Sequence, residues 1–192
     1  MLPNTTTGLK FGLVGRVSPE KGHDDFLEAA AILQANGLAS DFYVIGPVPN
    51  LQYAQYLRTK AKVLEIADCI HFIPFQKNIE AWMNALDIVV CPSWAEPFGL
   101  VMIEGMALQK PIIATNVGGP REIVLHGQTG LLVSPRNPQQ LASAMGEFIR
   151  HRELLAIFGS RGRQRAREEY SIQKQVGRIQ ELYDTFAKER VV

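Results

Sequence analysis

A chain of 192 residues that is 46% hydrophobic and 20% charged is long enough to bury a real core and too apolar to be disordered. Its net charge of +1 leaves no strong field to hold nucleic acid or a membrane surface. No apolar run approaches the roughly 18 residues of a membrane span, and "MLPNTTTGLK" lacks the apolar centre of a secretory leader, so a cytoplasmic protein is expected. The two cysteines, Cys69 and Cys91, each lie in an apolar strand-like run and are read as buried free thiols.

In chain order, short apolar runs alternate with amphipathic ones. Strands are predicted at 11–15, 41–46, 69–75, 88–93, 111–116 and 129–134. Helices are predicted between them, at 23–37, 51–68, 78–87, 99–109 and 119–127, and the chain is helical from Asn137 to Val192. Continuous apolar strands joined by helices imply an α/β fold with a parallel sheet of about six strands covered on both faces. Ligands of such sheets bind outside the carboxyl ends of the strands, beside a switch in strand order. The loop after each strand is therefore the place to look for chemistry.

The first such loop, "GRVSPEKGHDD", is neither a G-x-G-x-x-G turn nor a Walker loop, because no Ser or Thr follows Lys21. Arg16 and Lys21 beside a helix N-terminus suit a diphosphate, and the same residues also suit a solvated turn paired with Glu20, Asp24 and Asp25. The fourth, "SWAEPFGLVMIEGMAL", carries two acids. Glu96 precedes a helix whose first amides, near Phe98, Gly99 and Leu100, have no intrahelical partner. Glu104 follows about two turns into that helix, within an apolar run where an unpaired carboxylate would be costly. It could accept two hydrogen bonds from a vicinal diol, or pair with Arg121; Glu96 could face a ligand, or only complement the helix dipole. After the fifth strand, Gly118-Gly119-Pro120 opens a short helix with Glu122 as a helix-start acid. His23, His71, His126 and His151 are scattered, Ser93 lacks a nucleophile-elbow context, and Asp24-Asp25 is not a D-x-D pair, so no metal is expected.

Taken in this order, "GRVSPEKG", "PSWAEPFGLVMIEGMALQKPIIATNVGGPREIV" and "GQTGLLV" resemble the nucleotide-sugar domain of the retaining glycosyltransferases of the GT-B fold, family 4, from about Leu9 to Tyr183. The most specific element is Glu-x7-Glu, met by Glu96 and Glu104 with Phe98-Gly99 between them. The resemblance implies a Rossmann-like three-layer sandwich that forms the C-terminal half of a GT-B enzyme. Residues 1–170 would be the nucleotide-sugar-binding domain, and 171–192 a C-terminal helix packing toward the N-terminal domain.

In the family, Arg16 and Lys21 correspond to the diphosphate clamp, Glu96 to the acid on the donor sugar's hydroxyls, and Glu104 to the acid on the ribose diol. Arg16, Lys21 and Glu96 are the catalytic candidates. The amides of Phe98, Gly99 and Leu100 would line the sugar and phosphates, and the backbone near Phe75 and Gln76 would touch the base. The implied donor is UDP-glucose or another UDP-hexose, with GDP-mannose and ADP-glucose as alternatives and no cofactor. The acceptor, a glycan or lipid-linked molecule, would be bound by the N-terminal half, so this half alone would bind donor without transferring it. Peripheral membrane association of the full-length enzyme is left open, and nucleic acid is not a partner. Pro74 stands where the family commonly has Gly, which puts the base preference in question. A non-catalytic nucleotide-sugar module is the other reading. A receiver-type domain would need an acidic cluster after the first strand, where "GRVSPEKG" stands, and a phosphorylase would need a pyridoxal phosphate lysine, for which there is no local signature.

Overall fold

The computed structural model describes residues 2–3 and 5–189. Its elements are β1 (Lys10–Val14), α1 (His23–Ala35), β2 (Asp41–Ile45), α2 (Leu51–Val63), β3 (Ile70–Ile73), α3 (Ile79–Asn84), β4 (Ile88–Cys91), α4 (Leu100–Ala107), β5 (Ile112–Thr115), α5 (Pro120–Ile123), β6 (Gly130–Val133), α6 (Pro138–Arg150), α7 (Glu153–Tyr170) and α8 (Ile172–Glu189). The six strands are all parallel, in the order β3-β2-β1-β4-β5-β6. Every residue of β2, β4 and β5 is buried, whereas the edge strands β3 and β6 are partly open.

Strand side chains alternate between faces, so one sheet feeds two cores. Phe11, Leu13, Phe42, Val44, Ile88, Val90 and Ile113 pack with Phe26 and Leu27 of α1 and Met145 and Phe148 of α6. Tyr43, Ile45, Val89, Cys91, Ile112 and Ala114 pack with Met83 of α3 and Met102 and Met106 of α4. The three layers of the expected sandwich follow from that alternation. Both cysteines are buried and free, as read from the sequence.

Three helices start on an asparagine whose side chain accepts from a first-turn amide: Asn50 from Tyr53, Asn78 from Ala81, and Asn137 from Gln140. The predicted helix at 119–127 is a single turn, because Val124 is already extended and His126 bridges to Gly130. That turn is completed from outside: Arg165 of α7 donates to the carbonyls of Ile123 (2.9 Å) and Glu122 (2.6 Å), and the Tyr170 hydroxyl donates to Glu122 O (3.1 Å). The helical tail breaks at His151–Arg152 and at Ser171, which is extended. Beyond it, α8 exposes Ile172, Val176, Ile179, Leu182, Tyr183 and Phe186; residues 190–192 of the predicted helix lie outside the described residues. No helix among the described residues is long and apolar enough to cross a membrane.

The amino end of the sheet is closed by one carboxylate. Asp41, fully buried, accepts from the amides of Thr5 (3.1 Å) and Thr6 (3.0 Å), from both threonine hydroxyls, and from His71 Nε2 at 3.0 Å. Burial alone would raise its pKa, but the hydrogen bonds from Thr5, His71 and Thr6 outweigh it and hold the carboxyl at about 2. A folded-state value below the unfolded one contributes stability that is complete above the unfolded pKa and is lost as pH falls toward the folded one. We expect Asp41→Asn to cost about 2 kcal/mol in urea unfolding at neutral pH. The gap to wild type should close as pH drops from about 4 to about 2, and a gap that stays constant over that window would contradict the assignment.

Candidate functional site

The chain runs outward from β1 through β2 to β3, then returns to lay β4 on the other side of β1. Strand order therefore reverses between β1 and β4, and the loops at 15–22 and 92–99 flank the crevice this creates. The first loop is drawn tight against the second. Gly22 is left-handed (φ 73°), and a Cβ there would lie 2.0 Å from the Pro92 carbonyl oxygen. Trp94 N donates to Glu20 O at 2.8 Å.

Across this crevice, Lys21 Nζ meets Glu96 Oε2 at 2.6 Å, with Ser93 Oγ at 3.4 Å from the same oxygen. Glu96 is only 9% exposed. The ammonium and the hydroxyl compensate a carboxylate that burial would otherwise penalise. Arg16 stands apart: its side chain is 60% exposed and meets Glu20 at 3.1 Å, an i,i+4 surface pair worth little. Glu20 is held below the usual carboxylate range, first by the Ser18 hydroxyl and also by Arg16.

The pairings weighed from the sequence are thus only partly formed. Arg16 takes Glu20, but Lys21 takes Glu96. Asp24 is engaged by Tyr53, Tyr56 and Lys60, and Asp25 by the Trp94 indole. His23 is fully buried, its Nδ1 is 3.1 Å from Ser18 O, and burial lowers its pKa to about 4. It is neutral at physiological pH and adds no cation to the crevice.

Glu104 is the opposite of Glu96. It is exposed, and among the described residues its carboxylate has no hydrogen-bond or ion-pair partner. Arg121, the alternative partner, donates instead to the carbonyl and side-chain oxygens of Asn116. Glu104 lines a cleft of about 310 Å³ between α3 and α4 with Ile79, Glu80, Met83, Ala107 and Leu108. Gly99 caps α4 in a left-handed conformation, and Phe98 and Leu100 are exposed beside it. Phe75 is 64% exposed, and Gln76 folds back to donate to Pro74 O. Among the described residues no group of three His, Cys, Asp or Glu side chains is placed to hold a metal.

The family described as Glycosyl transferases group 1 matches residues 3–165. The chain belongs to that family. It is 37% identical over 186 residues to a D-inositol 3-phosphate glycosyltransferase of Thermobispora bispora, covering 93% of this chain and 43% of that protein. It is 30% identical over 181 residues to the lipopolysaccharide core biosynthesis mannosyltransferase LpsB of Rhizobium meliloti, covering 92% and 52%. The chain therefore spans about half the length of these curated relatives. Among solved structures, Anabaena Alr3699/HepE in complex with UDP superposes with a TM-score of 0.87 at 26% identity, over 93% of this chain and 49% of that one. The C-terminal domain of a glycosyl transferase group 1 family protein (LpcC) from Francisella tularensis superposes at 0.78 with 33% identity, over 85% and 87%. The fold is that of the C-terminal half of a GT-B glycosyltransferase.

In this glycosyltransferase domain, the crevice holds residues that the motifs did not single out. Trp94, Asp25 and Arg136 meet beside Glu96, with Arg136 lying 4.4 Å over the Trp94 ring. A tryptophan two positions before Glu96 was the only signal for them. The loop after β5 matters as well, because Gly119 N holds Glu96 O at 3.0 Å. A Cβ on Gly119 would fall 2.2 Å from Phe98 O, although its helical φ of −55° suits any residue. Gly119→Ala should therefore act by steric displacement alone, lowering stability by about 1–3 kcal/mol in denaturant melts. An unchanged melt would mean that the 96–99 loop yields freely.

Proposed function

We propose that this domain binds a UDP-sugar, UDP-glucose or another UDP-hexose, within a retaining glycosyltransferase that passes a hexosyl residue to a glycan or lipid-linked acceptor. The observation that carries the reading is the contrast between the two acids of Glu-x7-Glu. Glu96 is buried against Lys21 at the β1/β4 crevice, while Glu104 stands unpaired in a cleft large enough for part of a nucleoside. The complexes of Anabaena HepE with UDP and with UDP-glucose, at 26% and 27% identity, support the same donor class.

Glu104 accepts the ribose 2′- and 3′-hydroxyls. Arg16 and Lys21 bind the diphosphate, Arg16 as a fork and Lys21 as a point charge. Glu96 accepts hydroxyls of the sugar while its carboxylate holds Lys21 in place. The amides of Phe98, Gly99 and Leu100 present the positive end of α4 to the sugar and phosphates. The backbone near Phe75 and Gln76 meets the base, and Pro74, which has no amide hydrogen, removes one donor there. When the bond from the anomeric carbon to the diphosphate breaks, charge develops on the leaving phosphate, and the two cations stabilise it. No metal or other cofactor enters this scheme.

Acceptor binding and the closure that excludes water belong to the N-terminal half of the whole enzyme, so this domain alone binds donor without transferring it. The apolar side chains exposed along α8 support packing of that helix against the N-terminal half. We propose a cytoplasmic enzyme, in keeping with two buried free thiols.

Two measurements test the scheme. Arg16→Ala, which disturbs only a surface pair, should weaken UDP about tenfold in calorimetric titration and leave uridine nearly unchanged. Equal losses for both ligands would remove Arg16 from the diphosphate. Glu104→Gln keeps the shape and removes the charge, so it should weaken UDP more than 2′,3′-dideoxy-UDP. If the two ligands lose affinity alike, Glu104 does not hold the diol.

A further inference from the structure

Two loops that the chain makes far apart converge on Asp25, in the first turn of α1. The Trp94 indole Nε1, from the loop after β4, donates to Asp25 Oδ2 at 2.8 Å. The backbone of Arg136, from the loop after β6, also lies close enough to that carboxylate to favour its charged form, against the burial that disfavours it. The Arg136 guanidinium lies 4.4 Å over the Trp94 ring, closing its open face. Trp94 N is held by Glu20 O at 2.8 Å, in the loop that carries Lys21.

Two features suggest that the cluster does more than fill space. Arg136 has a left-handed backbone (φ 54°), a conformation that costs a side-chain-bearing residue free energy and persists only where its surroundings impose it. Asp25 is buried at 8% exposure, and among the described residues no cation is paired to it, although its neighbour Asp24 has Lys60. A strained residue and a buried acid held by an indole N–H in place of a cation, both aimed at one ring, are a local cost that generic packing would avoid.

The indole sits at one end of the segment that carries Glu96; at the other end the Glu96 carbonyl is fixed by Gly119 N at 3.0 Å. Glu104 lies outside this segment, on α4. We infer that Asp25, Trp94 and Arg136 form a clasp that positions Glu96 against Lys21 for the sugar of the donor, and so sets the preference for a nucleotide sugar over the bare nucleoside diphosphate. The inference rests on the roles given above to Glu96 and Glu104. These three are positioning residues: they act through Glu96 and do not themselves touch the donor.

The test is calorimetric titration of the domain with UDP-glucose and with UDP, on wild type and four variants. Trp94→Phe keeps an aromatic face and loses the N–H donor together with the pyrrole half of the indole; Asp25→Ala removes the acceptor; Asp25→Asn keeps an acceptor oxygen; Arg136→Gly keeps the backbone and removes the guanidinium. Trp94→Phe and Asp25→Ala should weaken UDP-glucose about fivefold or more, in line with the loss of one charge-assisted hydrogen bond, while UDP stays within about twofold. Arg136→Gly should shift the ratio the same way by a smaller factor, and Asp25→Asn should restore most of the wild-type preference. Equal losses for both ligands, unchanged ratios, or an Asn variant as poor as Ala would each overturn the clasp. Should Asp25→Ala fail to fold, Trp94→Phe decides. A wild-type domain that binds neither ligand would instead overturn the donor-binding reading itself, a separate result from wild-type binding with unaltered ratios.

Discussion

The ion pair between Lys21 and Glu96 is the constraint around which this end of the molecule is arranged. Its partners come from loops on either side of the strand-order reversal, so the pair exists only because β1 and β4 lie side by side. A carboxylate left there without its ammonium would be strongly destabilising, whereas the closed pair roughly balances its own desolvation. Such a pair contributes little to stability but much to geometry: it fixes how far apart the two loops can stand. Gly22 brings the first loop against Pro92, and Gly119 pins the second from behind.

The site divides into a part that is fully bonded before any ligand arrives and a part that is not. Glu96, Ser93, Trp94 and Asp25 have their partners within the protein. Glu104 has none among the described residues, and Arg16 has only a surface pair that water can replace. Preorganised groups cost little reorganisation when charge develops nearby, which suits the reacting end of a donor. Open groups suit the end that must first be captured. The two acids of one motif fall on different sides of this division because one lies in a loop at the crevice and the other on an exposed face of α4.

Much of this was legible in the sequence, and what was not shares one cause. The strands stood out because β2, β4 and β5 are buried on both faces and so carry continuous apolar runs, broken only by Asp41 and Thr115 at their ends. The loops were legible because a parallel sheet puts all its connections of one kind at one edge. Partnerships between charges were not. Lys21 could be placed beside Glu20, Asp24 or Asp25 by proximity in the chain, and it meets Glu96. Arg121 was available to Glu104 and turned to Asn116. His71 read as one scattered histidine, yet it helps close the N-terminal segment onto Asp41. The short α5 was overestimated because Pro120 announces where a helix starts, while its end depends on the extended turn at Val124. Contacts between distant residues follow from topology, and the local pattern does not carry them.

Arg165 and Tyr170 complete a helix to which they do not belong. A single turn such as α5 cannot sustain itself, and its last carbonyls would be left to water if α7 did not reach them. The same turn opens at Gly119, whose amide grips the Glu96 carbonyl. The matched family region closes at residue 165, with Tyr170 outside it. Trimming a donor module at that boundary would spare the sheet and every proposed ligand contact, yet cut one of the tethers behind the Glu96 loop. The smallest unit worth excising is therefore set by a phenol hydroxyl near the end of α7, well past the last strand.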